Sequence, residues 1–126
     1  MVRLAWITLA TLVAACTKQG SDKPSSRDGV IAAWKKAGLE PSSFTPATTQ
    51  VGKDCVSATV NKLDVLICSF GFEQEAKVAE DNGLAWIGDA TGASRAQGST
   101  LIVVADRHKA DPSGRTINQL VTLRTK

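Results

Sequence analysis

Apolar residues recur with a helical period where the sequence first takes on the pattern of a folded domain. Spacings of three and four residues place Val30, Ile31, Trp34 and Ala37 on one face of a helix. Asp28 precedes this set and Gly38 follows it, as at the two ends of many helices. The sequence therefore predicts an amphipathic helix from Asp28 to Gly38. Residues 39–53 hold two prolines and many hydroxyl groups, which predicts a loop.

Two runs rich in Val, Ile and Leu follow, at 55–60 and 63–70, with Asn61-Lys62 between them. Their composition and two-residue separation predict a β-hairpin. If the residues next to the turn oppose each other, stepping outward along both strands brings Cys55 opposite Cys68. This position is a non-hydrogen-bonded pair, where Cα atoms lie about 4.5 Å apart and a disulfide fits. The same register places an apolar set on the other face of the hairpin: Val56, Ala58, Val60, Leu63, Val65 and Ile67.

The second half of the chain contains one clear strand and two helical patterns. Residues 72–83 have helical spacing and end in Asn82-Gly83, which predicts a helix. Residues 84–98 mix apolar side chains with turn glycines and are ambiguous, with one short helix from Asp89 to Ala96 as the expectation. The run 100–106 (TLIVVAD) predicts a buried strand, and Asp111-Pro112 predicts the start of a last helix.

The predicted order of elements is α-β-β-α-β-α, which indicates an α+β fold. We expect a small, mostly antiparallel sheet, formed by the hairpin 55–70 and the strand 100–106, with helices packed on one face. Hydrophobic residues make up 43% of the chain and charged residues 21%, as is usual for a folded globular protein. A chain of 126 residues has room for one domain with a modest core.

The first residues have the proportions of an export signal. A basic start at Arg3 precedes the apolar run 4–13, which is too short for a membrane-spanning helix of roughly 20 residues. The run ends in Leu12-Val13-Ala14-Ala15-Cys16, which resembles the lipobox of bacterial lipoprotein precursors. This resemblance covers only that segment. It implies that residues 1–15 are removed and that Cys16 carries a diacylglyceryl group, with a further acyl chain such as palmitate on its amine.

An ordinary secreted protein cut after Ala15 is the alternative, but Val13 suits the lipobox better than the small residue that such a cut requires. The predicted organisation is a signal peptide at 1–15, the lipidated cysteine and a flexible tether at 16–27, and a single α+β domain at 28–126. The lipid would anchor the chain to the membrane. Thr17 stands where an Asp would retain many lipoproteins at the inner membrane, so we expect the outer membrane, facing the periplasm.

An exported domain matures in an oxidising compartment, so Cys55 and Cys68 are expected to form a structural disulfide. Closing this loop would contribute about 3 kcal/mol in the chain-entropy description. The alternatives are a metal site with His108 and a redox-active dithiol, although neither has the close C-x-x-C spacing. Neither metal nor cofactor is expected.

The formal charge of +3 falls to +2 when Arg3 is removed, and the basic residues are scattered along the sequence. Nucleic-acid binders concentrate such residues on one face or helix, so no nucleic-acid partner is expected. The candidate functional loop follows the last strand and contains Asp106, His108 and Arg115, with His108 as a candidate general base. No nucleophile motif, second histidine or paired-carboxylate motif accompanies it, so no catalytic residue is predicted.

Three glycines, Gly88, Gly92 and Gly98, match no phosphate-binding motif and are interpreted as turn residues. Trp34 and Trp86 are expected in the core, with a ligand groove or partner surface as the alternative. The leading hypothesis is a non-enzymatic envelope lipoprotein that binds an envelope protein or another envelope component. The alternatives are a small enzyme or inhibitor-like effector acting through the loop 106–115, and a purely structural role.

Overall fold

A computed structural model of the chain describes residues 27–123, which contain four helices and five strands. In chain order these are α1 (Arg27–Lys36), β1 (Thr45–Ala47), β2 (Asp54–Val60), β3 (Leu63–Ser69), α2 (Glu73–Val78), α3 (Glu80–Ile87), β4 (Thr91–Gln97), β5 (Thr100–Asp106) and α4 (Arg115–Thr122). The predicted signal peptide at 1–15, Cys16 and residues 17–26 of the predicted tether lie outside the described residues.

The predicted α+β class is confirmed. The strands form one antiparallel sheet in the order β1-β2-β3-β5-β4. The predicted hairpin is β2–β3, with Val60 opposite Leu63 as expected. Asn61 and Lys62 have φ angles of 51° and 70°, the left-handed values that a two-residue turn requires if its twist is to match that of the strands.

The predicted disulfide is confirmed at the position that the register gave. Cys55 lies opposite Cys68, their Cα atoms are 4.0 Å apart, and the two sulfurs are bonded. Both side chains are buried on the face of the hairpin opposite Val65 and Ile67. The bridge is therefore part of a packed core.

The helices cover both faces of the sheet, whereas the sequence predicted them on one face only. On one face, α1 and α4 pack on a core that includes Trp34, Val65 and Leu120. On the other face, α2 and α3 pack over the disulfide, with Ala79 and Ile87 buried against Val103. Because β5 is buried from Thr100 to Asp106, alternate residues of this strand serve the two cores.

Four elements differ from those predicted, in type or in bounds. The helix expected over 89–96 is instead the edge strand β4, paired with β5 along its whole length. The expected loop 39–53 contains the short edge strand β1. The second helix does not end at Gly83: α3 continues to Ile87 after a break between α2 and α3 at Ala79. α1 begins at Arg27, one residue before the predicted start.

Gly83 lies inside α3 and does not end a helix. Close packing of α3 on the sheet explains why this position is a glycine. A Cβ at this position would collide with the Ser94 hydroxyl and would lie 2.9 Å from a methyl of Val103. Gly92, predicted to be a turn residue, lies within β4, where a Cβ would collide with the Val104 carbonyl oxygen. The absence of these two side chains lets α3, β4 and β5 approach one another closely.

Candidate functional site

Asp106 ends β5 and organises the loop that follows it. Its Oδ1 accepts a hydrogen bond from the Ala110 amide at 2.7 Å, and its Oδ2 accepts one from the Asp111 amide at 2.9 Å. Burial alone would raise the pKa of Asp106, but backbone hydrogen bonds from residues 108–111 outweigh it and lower this pKa below the ordinary value. The carboxylate is thus charged and fully engaged at neutral pH.

Asp111 extends the same arrangement to α4. Its Oδ2 accepts a hydrogen bond from the Ile117 amide at 2.8 Å, which satisfies one of the free donors in the first turn of the helix. The Ser113 hydroxyl accepts a hydrogen bond from the Arg115 amide at 3.2 Å. Two aspartates and one serine therefore fix the path of the chain from β5 into α4.

The loop residues singled out from the sequence do not converge on one site. A cavity of about 600 Å³ beside the loop is lined by Asp106 and Asp111 together with Asp89, Arg107 and Lys109. His108 and Arg115 are exposed and do not line it. The Asp106 carboxylate is used to support the loop.

A second concave surface, the Trp86 groove, has a volume of about 300 Å³ and lies beside the end of the β2–β3 hairpin. One part of the groove is lined by an aromatic residue and two charged residues. These are Trp86 at the end of α3, Asp64 in β3, and Arg107, which directly follows β5. The rest is dominated by small hydroxyl side chains from the loop before β1 and from β1 and β2: Ser42, Ser43, Thr45, Ser57 and Thr59.

Arg107 holds the charged part of the Trp86 groove together. Its Nη1 donates to the Asp64 carboxylate at 2.8 Å, and its Nη2 donates to the Trp86 carbonyl oxygen at 2.7 Å. The centre of the guanidinium group lies 4.4 Å from the centroid of the Trp86 ring, a cation–π contact. Since these three contacts act on a planar group, the Arg107 side chain is fixed in position and orientation.

The hydroxyl groups that line the groove differ in their use. The Ser42 hydroxyl accepts a hydrogen bond from the Thr59 amide at 2.9 Å, and the Ser42 amide donates to the Thr59 carbonyl oxygen, so that this loop is tied to β2. Among residues 27–123, no protein partner is found for the hydroxyls of Ser43, Thr45, Ser57 and Thr59. The groove therefore offers several donors and acceptors without internal partners beside one aromatic side chain.

The two tryptophans considered from the sequence have different environments. Trp34 is buried as predicted, donates from Nε1 to the Leu120 carbonyl oxygen at 2.8 Å and stacks near Phe44. Trp86 is only half-buried and lines the groove, which corresponds to the alternative interpretation. Arg107 and Asp64 were not predicted as site residues, and no local motif marks them.

Within the described range 27–123, no group of three or more His, Cys, Asp or Glu side chains has the arrangement of a metal site. None of the helices in this range is long and apolar enough to cross a membrane. Comparison with known proteins gave no match: no protein-family description, curated protein or solved structure shows significant similarity to this chain.

Proposed function

We propose that this chain is a lipoprotein of the bacterial cell envelope whose folded domain is a non-enzymatic binding module. Cys16, at the end of the segment that resembles a lipobox, is the proposed lipid-attachment residue. The lipid holds the protein on the outer membrane, where the domain faces the periplasm. Two or three acyl chains give durable anchoring, since a single chain gives only marginal and reversible membrane binding.

The buried disulfide is the observation that carries the proposal of export. Disulfides persist in secreted and periplasmic proteins and are rare in the reducing cytosol. Cys55 and Cys68 are bonded to each other inside a packed core, and the sequence has three cysteines in total. Cys16 is therefore left for attachment of the lipid, and no cysteine remains unassigned.

The use of the polar residues supports binding rather than catalysis. The carboxylates of Asp106 and Asp111 accept backbone hydrogen bonds and thereby shape the loop and the start of α4. The Trp86 groove, by contrast, presents hydroxyls without protein partners around a fixed Arg107–Asp64 pair. An aromatic side chain beside placed polar groups is one of the features of small-ligand sites.

The lipid anchor is tested by expressing the full chain in a Gram-negative host with a labelled fatty acid. The wild-type chain should acquire the label and fractionate with the outer membrane, and Cys16→Ser should lose the label and accumulate as an uncleaved precursor. The matched control, Cys55→Ala with Cys68→Ala, should keep the label because its lipobox is intact. Equal labelling of the wild-type and Cys16→Ser chains would refute the assignment of Cys16.

A further inference from the structure

We propose that the Trp86 groove binds a neutral pyranose unit of a glycan. The proposal rests on the binding role assigned above and names the chemical class of its ligand. It does not depend on the lipid anchor. The observations that carry it are the charge, the hydroxyl content and the aromatic side chain of the groove.

The charge of the groove favours a neutral ligand. Arg107 and Asp64 are the charged side chains among its lining residues, and they are paired at 2.8 Å. A phosphate or carboxylate ligand would need a cation whose charge is not already balanced, but Asp64 neutralises the charge of Arg107. A positively charged ligand would compete with Arg107 for the one carboxylate.

The hydroxyl groups favour a ligand that both donates and accepts hydrogen bonds at many positions. Ser43, Thr45, Ser57 and Thr59 carry hydroxyls without a partner in the described part of the protein, and each is one donor and two acceptors. A pyranose has ring hydroxyls of the same kind on several carbons. An apolar ligand would leave these protein groups without partners, which is unfavourable.

Trp86 and the paired ions supply the remaining features of a sugar site. One face of the Trp86 ring is covered by the Arg107 guanidinium, so the part of the indole that lines the groove beside this contact supplies the apolar surface for the C–H groups of a pyranose ring. Arg107 holds Trp86 in place through its ring and its backbone carbonyl oxygen. The planar Asp64 carboxylate has lone pairs beyond the one that Arg107 uses, so it is able to accept from a sugar hydroxyl. A volume of about 300 Å³ is at the small end of ligand sites, which fits one or two sugar rings.

The test uses the purified mature chain in a zwitterionic detergent that has no sugar head group. Three neutral trisaccharides, chitotriose, cellotriose and maltotriose, serve as probes, with trigalacturonate as the anionic comparison. Saturation-transfer NMR detects binding, and calorimetry measures the affinity. We expect transfer to at least one neutral trisaccharide, with the sugar C–H protons among those affected, and none to trigalacturonate.

Two variants locate the site. Trp86→Ala should weaken binding at least tenfold. Thr59→Val keeps the shape of an exposed strand residue but removes one hydroxyl, and it should weaken binding roughly three- to tenfold while leaving the melting temperature unchanged. Phe72→Ala is the matched control because Phe72 is an aromatic residue that is 71% exposed and lies outside the groove. Its affinity should equal that of the wild type.

Absence of transfer to all three neutral trisaccharides would overturn the proposal, and so would binding of trigalacturonate alone. Binding that survives both Trp86→Ala and Thr59→Val would place the sugar elsewhere on the protein and would also refute it. These outcomes are distinct from failure of the proposed function. The sugar assay does not require the anchor, whereas labelling of Cys16 does not require the groove.

Discussion

The two faces of the sheet are covered by helices in contrasting ways. Under α1 and α4, the core consists of large side chains, among them Trp34, Leu63 and Ile102. Under α2 and α3, large side chains such as Leu66, Leu101 and Ile87 are buried as well, but the helices and the residue between them also bring small residues, Ala76, Ala79 and Gly83, against strands that carry the Cys55–Cys68 bridge. The first face is filled chiefly by large side chains, whereas the second also depends on a close approach of helix and strands and on a covalent bond.

The contrast implies that opposite kinds of substitution destabilise the two faces. Removing atoms from the face of α1 and α4 leaves a cavity and costs both transfer energy and packing. Adding atoms to the face of α2 and α3 forces the helix away from the sheet.

Trp34→Ala should have the largest effect, lowering the free energy of unfolding by about 3–5 kcal/mol. It opens a cavity under α1 and leaves the Leu120 carbonyl oxygen without the indole donor. Denaturant unfolding measures the loss. Phe72→Ala, an exposed aromatic truncation on the other side, should cost less than about 0.5 kcal/mol. Equal losses in the two variants would show that the face of α1 and α4 does not depend on side-chain volume.

Removing the disulfide by Cys55→Ala with Cys68→Ala should cost about 3 kcal/mol, because a closed loop of roughly 14 residues no longer restricts the unfolded chain. Denaturant unfolding of this variant, compared with reduced and oxidised wild-type chain, measures the effect. The reduced wild type should lose a similar amount. If the variant unfolds like the oxidised wild type, the covalent bond is not what stabilises the face of α2 and α3.

Gly83→Ala should lower the free energy of unfolding by about 1–3 kcal/mol, although alanine is the better helix former. The added methyl would meet the Ser94 hydroxyl and the Val103 methyl. The matched control is Gly71→Ala, since a Cβ there meets its nearest atom at an ordinary 3.4 Å. A double-mutant cycle with Ser94→Ala should recover part of the loss. A neutral or stabilising Gly83→Ala would contradict close packing of α3.

Acid should loosen the α4 side before the α3 side. The pKa of Asp106 is lowered in the folded protein, so its contribution to stability is present above about pH 3.9, the ordinary value, and is lost as the pH falls through the folded value. The protection factors of α4 amides, which correct for slower intrinsic exchange in acid, should therefore fall more than those of α3 amides once the pH drops below about 3.9. In Asp106→Asn, the protection factors of α4 should already be lower at pH 7. An equal fall in protection over both helices would contradict this division.

The hairpin was predictable because its turn and its register depend on neighbouring residues. Asn61-Lys62 fixes a two-residue turn, and that turn alone determines which cysteines face each other. β4 was missed because its sequence, TGASRAQ, has no apolar alternation. It is an edge strand of small residues, and its pairing with β5 and the packing of α3 decide its conformation. Gly83 was wrongly predicted to end a helix for a related reason. A glycine is required there by the close packing of α3 on β4 and β5, which the sequence does not show.

The Trp86 groove could not have been assembled from the sequence. Its residues come from the loop before β1, from β1, from the hairpin, from the end of α3 and from the position after β5, and they meet only when the sheet is assembled and α3 is packed on it. Asp64 and Arg107 are 43 positions apart in the chain. Trp86 was considered from the sequence as a residue of a ligand groove, but nothing in the sequence distinguished it from Trp34.

The order of strands has a consequence for how the chain reaches this structure. β2–β3 and β4–β5 are both hairpins closed by two-residue turns, and their inner strands, β3 and β5, pair with each other. Among the described strands, this is the one pairing between partners that are not neighbours in sequence. Folding of the sheet thus reduces to three local pairings, β1–β2, β2–β3 and β4–β5, and one docking event, a low-contact-order route that favours speed. Oxidation of the first hairpin needs neither the second hairpin nor the groove, so a disulfide that forms early would preserve the correct register while the rest of the sheet assembles.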